Sequence, residues 1–169
     1  MRIILMILVS VLIFSGCGVQ DKTVLTYSDG AFECELSWSV GEMRLRGVLS
    51  CGARVDGGDR ELTLRISEPS ALCGAVVKRS GGVVSVSLGG VEFKDVDMSG
   101  VLRIESVLDC RGEVIESTPT TLGGERVRCV SLREDTGERR EVYVDCETGY
   151  PIEIHAGDVL VKVIYFTER

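Results

Sequence analysis

One histidine in 169 residues excludes a multi-histidine metal centre. Cys-x-x-Cys is absent, so the sequence holds neither a dithiol redox motif nor a zinc ribbon. No Gly-x-Ser-x-Gly elbow presents a nucleophile. None of the glycine pairs 57–58, 81–82, 89–90 and 123–124 leads into the Lys-Ser/Thr of a phosphate loop, and no cofactor motif is present. Cations are outnumbered, 19 Lys and Arg against 26 Asp and Glu, and form no basic cluster, which argues against nucleic-acid binding. Alanine is scarce, 5 against 24 Val, which favours strands over helices. What is plentiful is apolar surface. With 44% hydrophobic and 27% charged residues, a chain of this length buries one core and is not disordered.

The apolar run Ile3 to Phe14 is interrupted by Ser10 alone and follows Arg2. About a dozen residues are too few to span a bilayer as a free-standing helix. The pattern fits the h-region of a secretory signal. Small Ser15 and Gly16 then precede Cys17. The stretch Ile13 to Cys17 resembles the lipobox of bacterial lipoproteins, with Phe14 standing where Leu is usual. The resemblance implies a signal peptide over residues 1–16 and a lipid on Cys17 that anchors the protein to the extracytoplasmic face of the cell membrane. A plain secretory signal or a short N-terminal anchor is the alternative. Each buried acyl methylene adds about 0.8 kcal/mol to such an anchor. Residues 17–30 then read as lipidated N-terminus and linker, and 31–169 as a single domain. Cleavage after Gly16 leaves 153 residues, and the loss of Arg2 takes the formal charge from −7 to −8. A body of that charge is weakly repelled by an anionic bilayer, so Gly18 to Ser28 reads as a stand-off.

The domain reads as antiparallel β. Phe32, Cys34, Leu36, Trp38 and Val40 alternate with Glu33, Glu35, Ser37 and Ser39, the pattern of a half-buried strand. Gly41-Glu42 turns the chain into Met43 to Leu49, with a bulge expected at Gly47. Arg60 to Ser67 alternates again and stops at Glu68-Pro69. Ala75 to Lys78 and Val83 to Leu88 flank Ser80-Gly81-Gly82, and Val91 to Asp95 follows. Residues 97–109 are the helix candidate, with Asp97 or Ser99 as cap. Strands return over Arg126 to Arg133, Arg140 to Cys146, Ile152 to His155 and Val159 to Phe166. This amounts to roughly nine strands in a meander whose apolar face has one short helix to cover it.

Ile66-Ser67-Glu68-Pro69, Leu72-Cys73-Gly74 and Asp145-Cys146-Glu147-Thr148-Gly149-Tyr150-Pro151-Ile152, in this order among the strands, resemble the LolA/LolB-type lipoprotein-localisation superfamily over about residues 31–166. That resemblance implies an open, curved antiparallel half-barrel with a helical lid over an apolar cavity that holds acyl chains.

Phe32, Leu36, Trp38, Met43, Leu45, Leu62, Leu64, Ile66, Val84 and Val86 are the residues expected to line such a cavity. Taken singly, Trp38, Phe32 and Phe93 read as core, and it is the resemblance that places them at a cavity. The expected function is a membrane-anchored envelope lipoprotein binding a lipid or an acylated protein by sequestration, without catalysis, metal or cofactor. The alternative is a lipoprotein that holds a protein partner in envelope assembly or sporulation. His155 shares the face of Glu153 and reads as a solvent-facing strand residue. Cys34, Cys51, Cys73, Cys110, Cys129 and Cys146 form disulfides or serve as small buried hydrophobes.

Overall fold

The structure, a computed structural model, describes residues 25, 27, 29–53, 60–110 and 112–169. The segment 1–16 expected as a signal, Cys17 and the Gly57-Gly58 turn lie outside the described residues. The alternating stretches form β1 (Phe32–Val40), β2 (Met43–Cys51), β3 (Leu62–Glu68), β4 (Val76–Ser80), β5 (Val83–Leu88) and β6 (Val91–Lys94). A 3-10 turn, Ser70–Leu72, joins β3 to β4. Helix α1 (Ser99–Leu108) follows β6, and β7 (Glu113–Leu122), β8 (Glu125–Arg133), β9 (Arg139–Asp145), β10 (Pro151–Ala156) and β11 (Val159–Glu168) complete the chain.

All eleven strands join one antiparallel sheet in the order β6-β5-β4-β3-β2-β1-β11-β10-β9-β8-β7. The sheet is curved and open, in agreement with the sequence reading. It consists of two meanders, β1–β6 and β7–β11, sewn together by β1 against β11. The covalent link between them runs from one edge strand to the other through α1, which packs on the inner face.

Register sorts the side chains. One inner row runs Phe93, Val86, Val77, Leu64, Leu49, Cys34, Phe166 from β6 to β11. The next runs Val84, Arg79, Leu62, Cys51, Phe32. The centre of these rows is fully buried, together with Leu36, Trp38 and Leu45. Helix residues Ile104, Val107 and Leu108, spaced i, i+3, i+4, seal it from above. Each contributes roughly 1.5–3 kcal/mol of apolar burial. Gly47 sits at the β2 bulge, where a Cβ would lie 2.3 Å from the Arg65 carbonyl oxygen, so no other residue fits.

Three features differ from the sequence reading. First, β7 has no counterpart in it. Its sequence EVIESTPTTL is exposed along nine of its ten residues, and a strand with no buried face carries no alternation. Second, the N-cap position of α1 is held by Met98 rather than by Asp97 or Ser99, and the Met98 side chain makes no capping hydrogen bond. Third, Tyr27, within the stretch that reads as a stand-off, is 2% exposed and packs against Phe32 and Phe166, with Leu25 beside the same core.

Candidate functional site

The expected lining residues fall into three groups. Phe32, Leu36, Trp38, Leu45, Leu62, Leu64 and Ile66 come together on the inner face, all at most 4% exposed, in one core cluster with Ile104, Val107 and Leu108 of α1. Met43 stands apart at the start of β2, half exposed. Val84 and Val86 are partly buried and lie where cover by the helix runs out.

Beyond them the inner face stays apolar but open. Leu88, Val91 and Phe93 are 38%, 54% and 56% exposed. Leu88 pairs with Val91 and Val86 with Phe93, so all four share the face of Val84. Next to this strip a groove of about 500 Å³ separates β4–β5 from α1. Val84, Val96 and Met98 give it an apolar side; Arg79, Arg103 and Glu105 give it a charged one. Sequence reasoning placed Val84, Val86 and Phe93 among the candidates. It missed Val96 and Met98, which lie in an irregular connection that no periodicity marks.

Two arginines hold the helix that walls this groove. Arg79 of β4 points inward and meets Glu105 at 2.6 Å, both side chains largely buried. Arg140 of β9, 5% exposed, donates to the carbonyl oxygens of Ser106 (2.8 Å) and Val107 (3.0 Å), two of the acceptors that a helix C-terminus leaves unpaired. Its guanidinium also binds Glu134. A smaller, polar cavity of about 280 Å³ adjoins this anchor, between Ser106, Asp109 and the 134–136 turn.

The titratable groups elsewhere support the fold. All six described cysteines are free thiols. Burial pushes the Cys34 thiol far up, and it pushes Cys51 to about 12, partly offset by Arg60. Burial likewise raises Cys110 to about 11 against the hydrogen bond it shares with Tyr27, 2.9 Å. Such thiols are poor nucleophiles. Cys73 and Cys146, both exposed, lie in turns at opposite ends of the strands, so no bridge joins them within one chain. On the outer face, His155 Nε2 lies 2.6 Å from Glu153, and Lys162 lies 3.3 Å from the same carboxylate. Burial pushes that carboxyl up, but His155 and then Lys162 outweigh it and hold it below the ordinary value. Asp145 of the Asp-x-x-Thr-Gly stretch accepts from the backbone N–H of Thr148 (2.7 Å) and of Glu147 (3.0 Å) and from the Thr148 hydroxyl (2.9 Å). That motif builds a turn. The Thr148 hydrogen bonds keep the carboxyl below its usual range.

Comparison with known proteins bears on the fold. No protein-family model and no curated protein matches the sequence. Solved structures do match. An uncharacterised conserved protein from Thermus thermophilus aligns at TM-score 0.53 and 13% identity, over 86% of this chain and 83% of its own. MucB aligns at TM-score 0.51 and 12% identity, over 86% of this chain and 56% of its own. This chain shares their fold. A LolA superfamily protein from Nitrosomonas europaea is also among the matches, at TM-score 0.42 and 11% identity, over 90% and 94% of the two chains. MucB has been solved in complex with MucA from Pseudomonas aeruginosa as well. Among the described residues, no helix is long and apolar enough to cross a membrane.

Proposed function

We propose that this protein is an extracytoplasmic lipoprotein, anchored through Cys17, that sequesters an apolar or acylated ligand in the groove between α1 and β4–β5 and on the apolar strip of β5–β6 beside it. The observation that carries the reading is the strip Val84, Val86, Leu88, Val91 and Phe93, an apolar continuation of the core left open to solvent beside a 500 Å³ groove. Apolar area removed from water at about 25 cal/mol per Å² drives capture, and no covalent step is needed. Arg103, half exposed and ion-paired with Asp158 at 3.3 Å, lines the same groove and is the cation that a carboxylate or phosphate head would meet there in competition with Asp158. The lipobox-like segment supports the anchor.

The test is native mass spectrometry of the full chain released from detergent after incubation with palmitate. The expected spectrum contains a one-palmitate adduct that is lost in Phe93→Asp, a substitution at an exposed position that spares the core. A bare chain in the wild type, or an adduct equally strong in Phe93→Asp, overturns the reading. A second reading, a protein partner in envelope assembly or sporulation, is favoured by the position of the strip at an open strand edge. A specific protein captured through Phe93 by chains that take up no palmitate supports it.

A further inference from the structure

The β6 edge carries a pairing code of its own. Gly89 and Gly90, at φ +60° and +84°, form the two-residue turn that sets Leu88 opposite Val91. In such a hairpin the closing pair exchanges hydrogen bonds, and so do the alternate residues beyond it. Val91 and Phe93 therefore spend their backbone groups on β5, and the Asp95 N–H continues the series by donating to Val84 O at 2.9 Å. Glu92 and Lys94 are left with N–H and C=O directed to the free edge. Their side chains lie on the outer face, exposed, opposite Ser87 and Ser85, and neither has an ion-pair partner among the described residues.

We propose that β6 is the docking strand for a second copy of this chain, in antiparallel register centred on Phe93. A two-fold axis at Phe93 sets Glu92 opposite Lys94 of the other copy, and Lys94 opposite its Glu92. Both of these are positions with free backbone groups, so each pair exchanges two hydrogen bonds. Phe93 then faces Phe93 in the closely spaced non-hydrogen-bonded site, where aromatic pairs contribute most. The register shifted by one pair, centred on Glu92, sets two carboxylates against each other and is disfavoured. Charge complementarity thus selects both the partner and the register. The two apolar strips become neighbours on one inner face.

Light scattering of the full chain in detergent, corrected for bound detergent, reads the association. Differently tagged copies give a second readout. The wild type is expected as a dimer. Glu92→Lys and Lys94→Glu each turn two attractive pairs into repulsive ones, and association weakens about tenfold or more. The decisive arm mixes the two variants. Each is monomeric alone, and together they pair, because the two cations on the edge of the E92K copy face the two carboxylates on the edge of the K94E copy. The double exchange E92K/K94E restores the homodimer. Both substitutions lie on the outer face and leave the inner strip intact, so palmitate uptake persists in the monomeric variants. Loss of dimerisation and loss of the ligand reading therefore register separately. A wild type that stays monomeric, single variants that associate as the wild type does, or a wild-type monomer that co-purifies with a foreign peptide on β6 overturns the proposal.

Discussion

The two meanders present opposite edges to water. β7 ends one of them as a long strand, ten residues exposed almost throughout, interrupted by Pro119 and by a bulge between Val114 and Glu116. Glu113 and Glu116 add charge to it. Each of these features discourages pairing with another strand. β6 ends the other meander with four residues, two of them large and apolar on the inner face. The helix packs against β1 and β10, and the inner face of β5–β6 stays open. One edge is built to stay alone, and the other keeps a sticky strip beside a groove. An open edge with an apolar face is where a ligand or a second strand gains most.

The helix anchors give the largest expected difference between the meanders. Arg140→Ala in the second meander removes the donor to two helix carbonyls and strands Glu134, at an expected cost of about 3–5 kcal/mol. Arg79→Ala in the first leaves the largely buried Glu105 without its partner but takes no donor from the helix carbonyls, and costs less, roughly 1–3 kcal/mol. Urea denaturation of the two variants measures this. Equal losses mean that both meanders grip α1 alike.

A second contrast lies within one inner row. Leu64→Ala, at its buried centre, costs about 2–5 kcal/mol. Phe93→Ala, at its open end, stays within about 0.5 kcal/mol by the same measurement. A large loss at Phe93 places that ring in the core and removes the site.

Asp145 tests the turn at the foot of the second meander. Its carboxyl is held below the ordinary value, so its stabilisation is complete at neutral pH and is lost as pH falls through the lowered pKa. Asp145→Ala is expected to cost about 0.5–1 kcal/mol at pH 7, small because water screens the turn. The gap to the wild type closes in acid, at a pH below the ordinary carboxylate range, as thermal melts on acidification would record. A gap that is constant with pH assigns the effect to packing instead.

The smallest effect is one of rate. Cys73 and Cys146, exposed at opposite ends of the sheet, react first with a maleimide. Cys34, Cys51 and Cys110 are protected until the chain unfolds. Labelling followed by peptide mapping reads the order, and early labelling of Cys34 or Cys51 indicates a loose first meander.

How far the molecule was legible in its sequence follows from the same contrast. β1 to β4 were legible because each has a buried face, so apolar and polar residues alternate, and β5 because its half-buried Val84 and Val86 alternate with Ser85 and Ser87. β7 was illegible for the converse reason. The motif Asp145 to Pro151 was visible, and its role as a turn follows from the Asp145 hydrogen bonds. The apolar face was visible too, and ten of its residues stood as candidates. Alternation records that a face is apolar and not what lies upon it. Whether Leu64 or Phe93 meets the helix depends on the path of residues 95–98 across the sheet, a long-range matter that no local pattern encodes. Tyr27 was missed because a lone aromatic in an aperiodic stretch has no register to reveal its pocket.

The seam between β1 and β11 sets a timetable. Glu33 and Arg169, ion-paired across the sheet, are 136 residues apart in sequence, and Arg169 N–H closes on Ala31 O at 2.9 Å. A ribosome delivers β1 first and β11 last, so the middle of the sheet is the last part to exist. Such distant pairing folds slowly, because the loop entropy is lost before the contacts form. A chain delayed in this way stays open for most of its synthesis, and its architecture acts as a clock for its own closure.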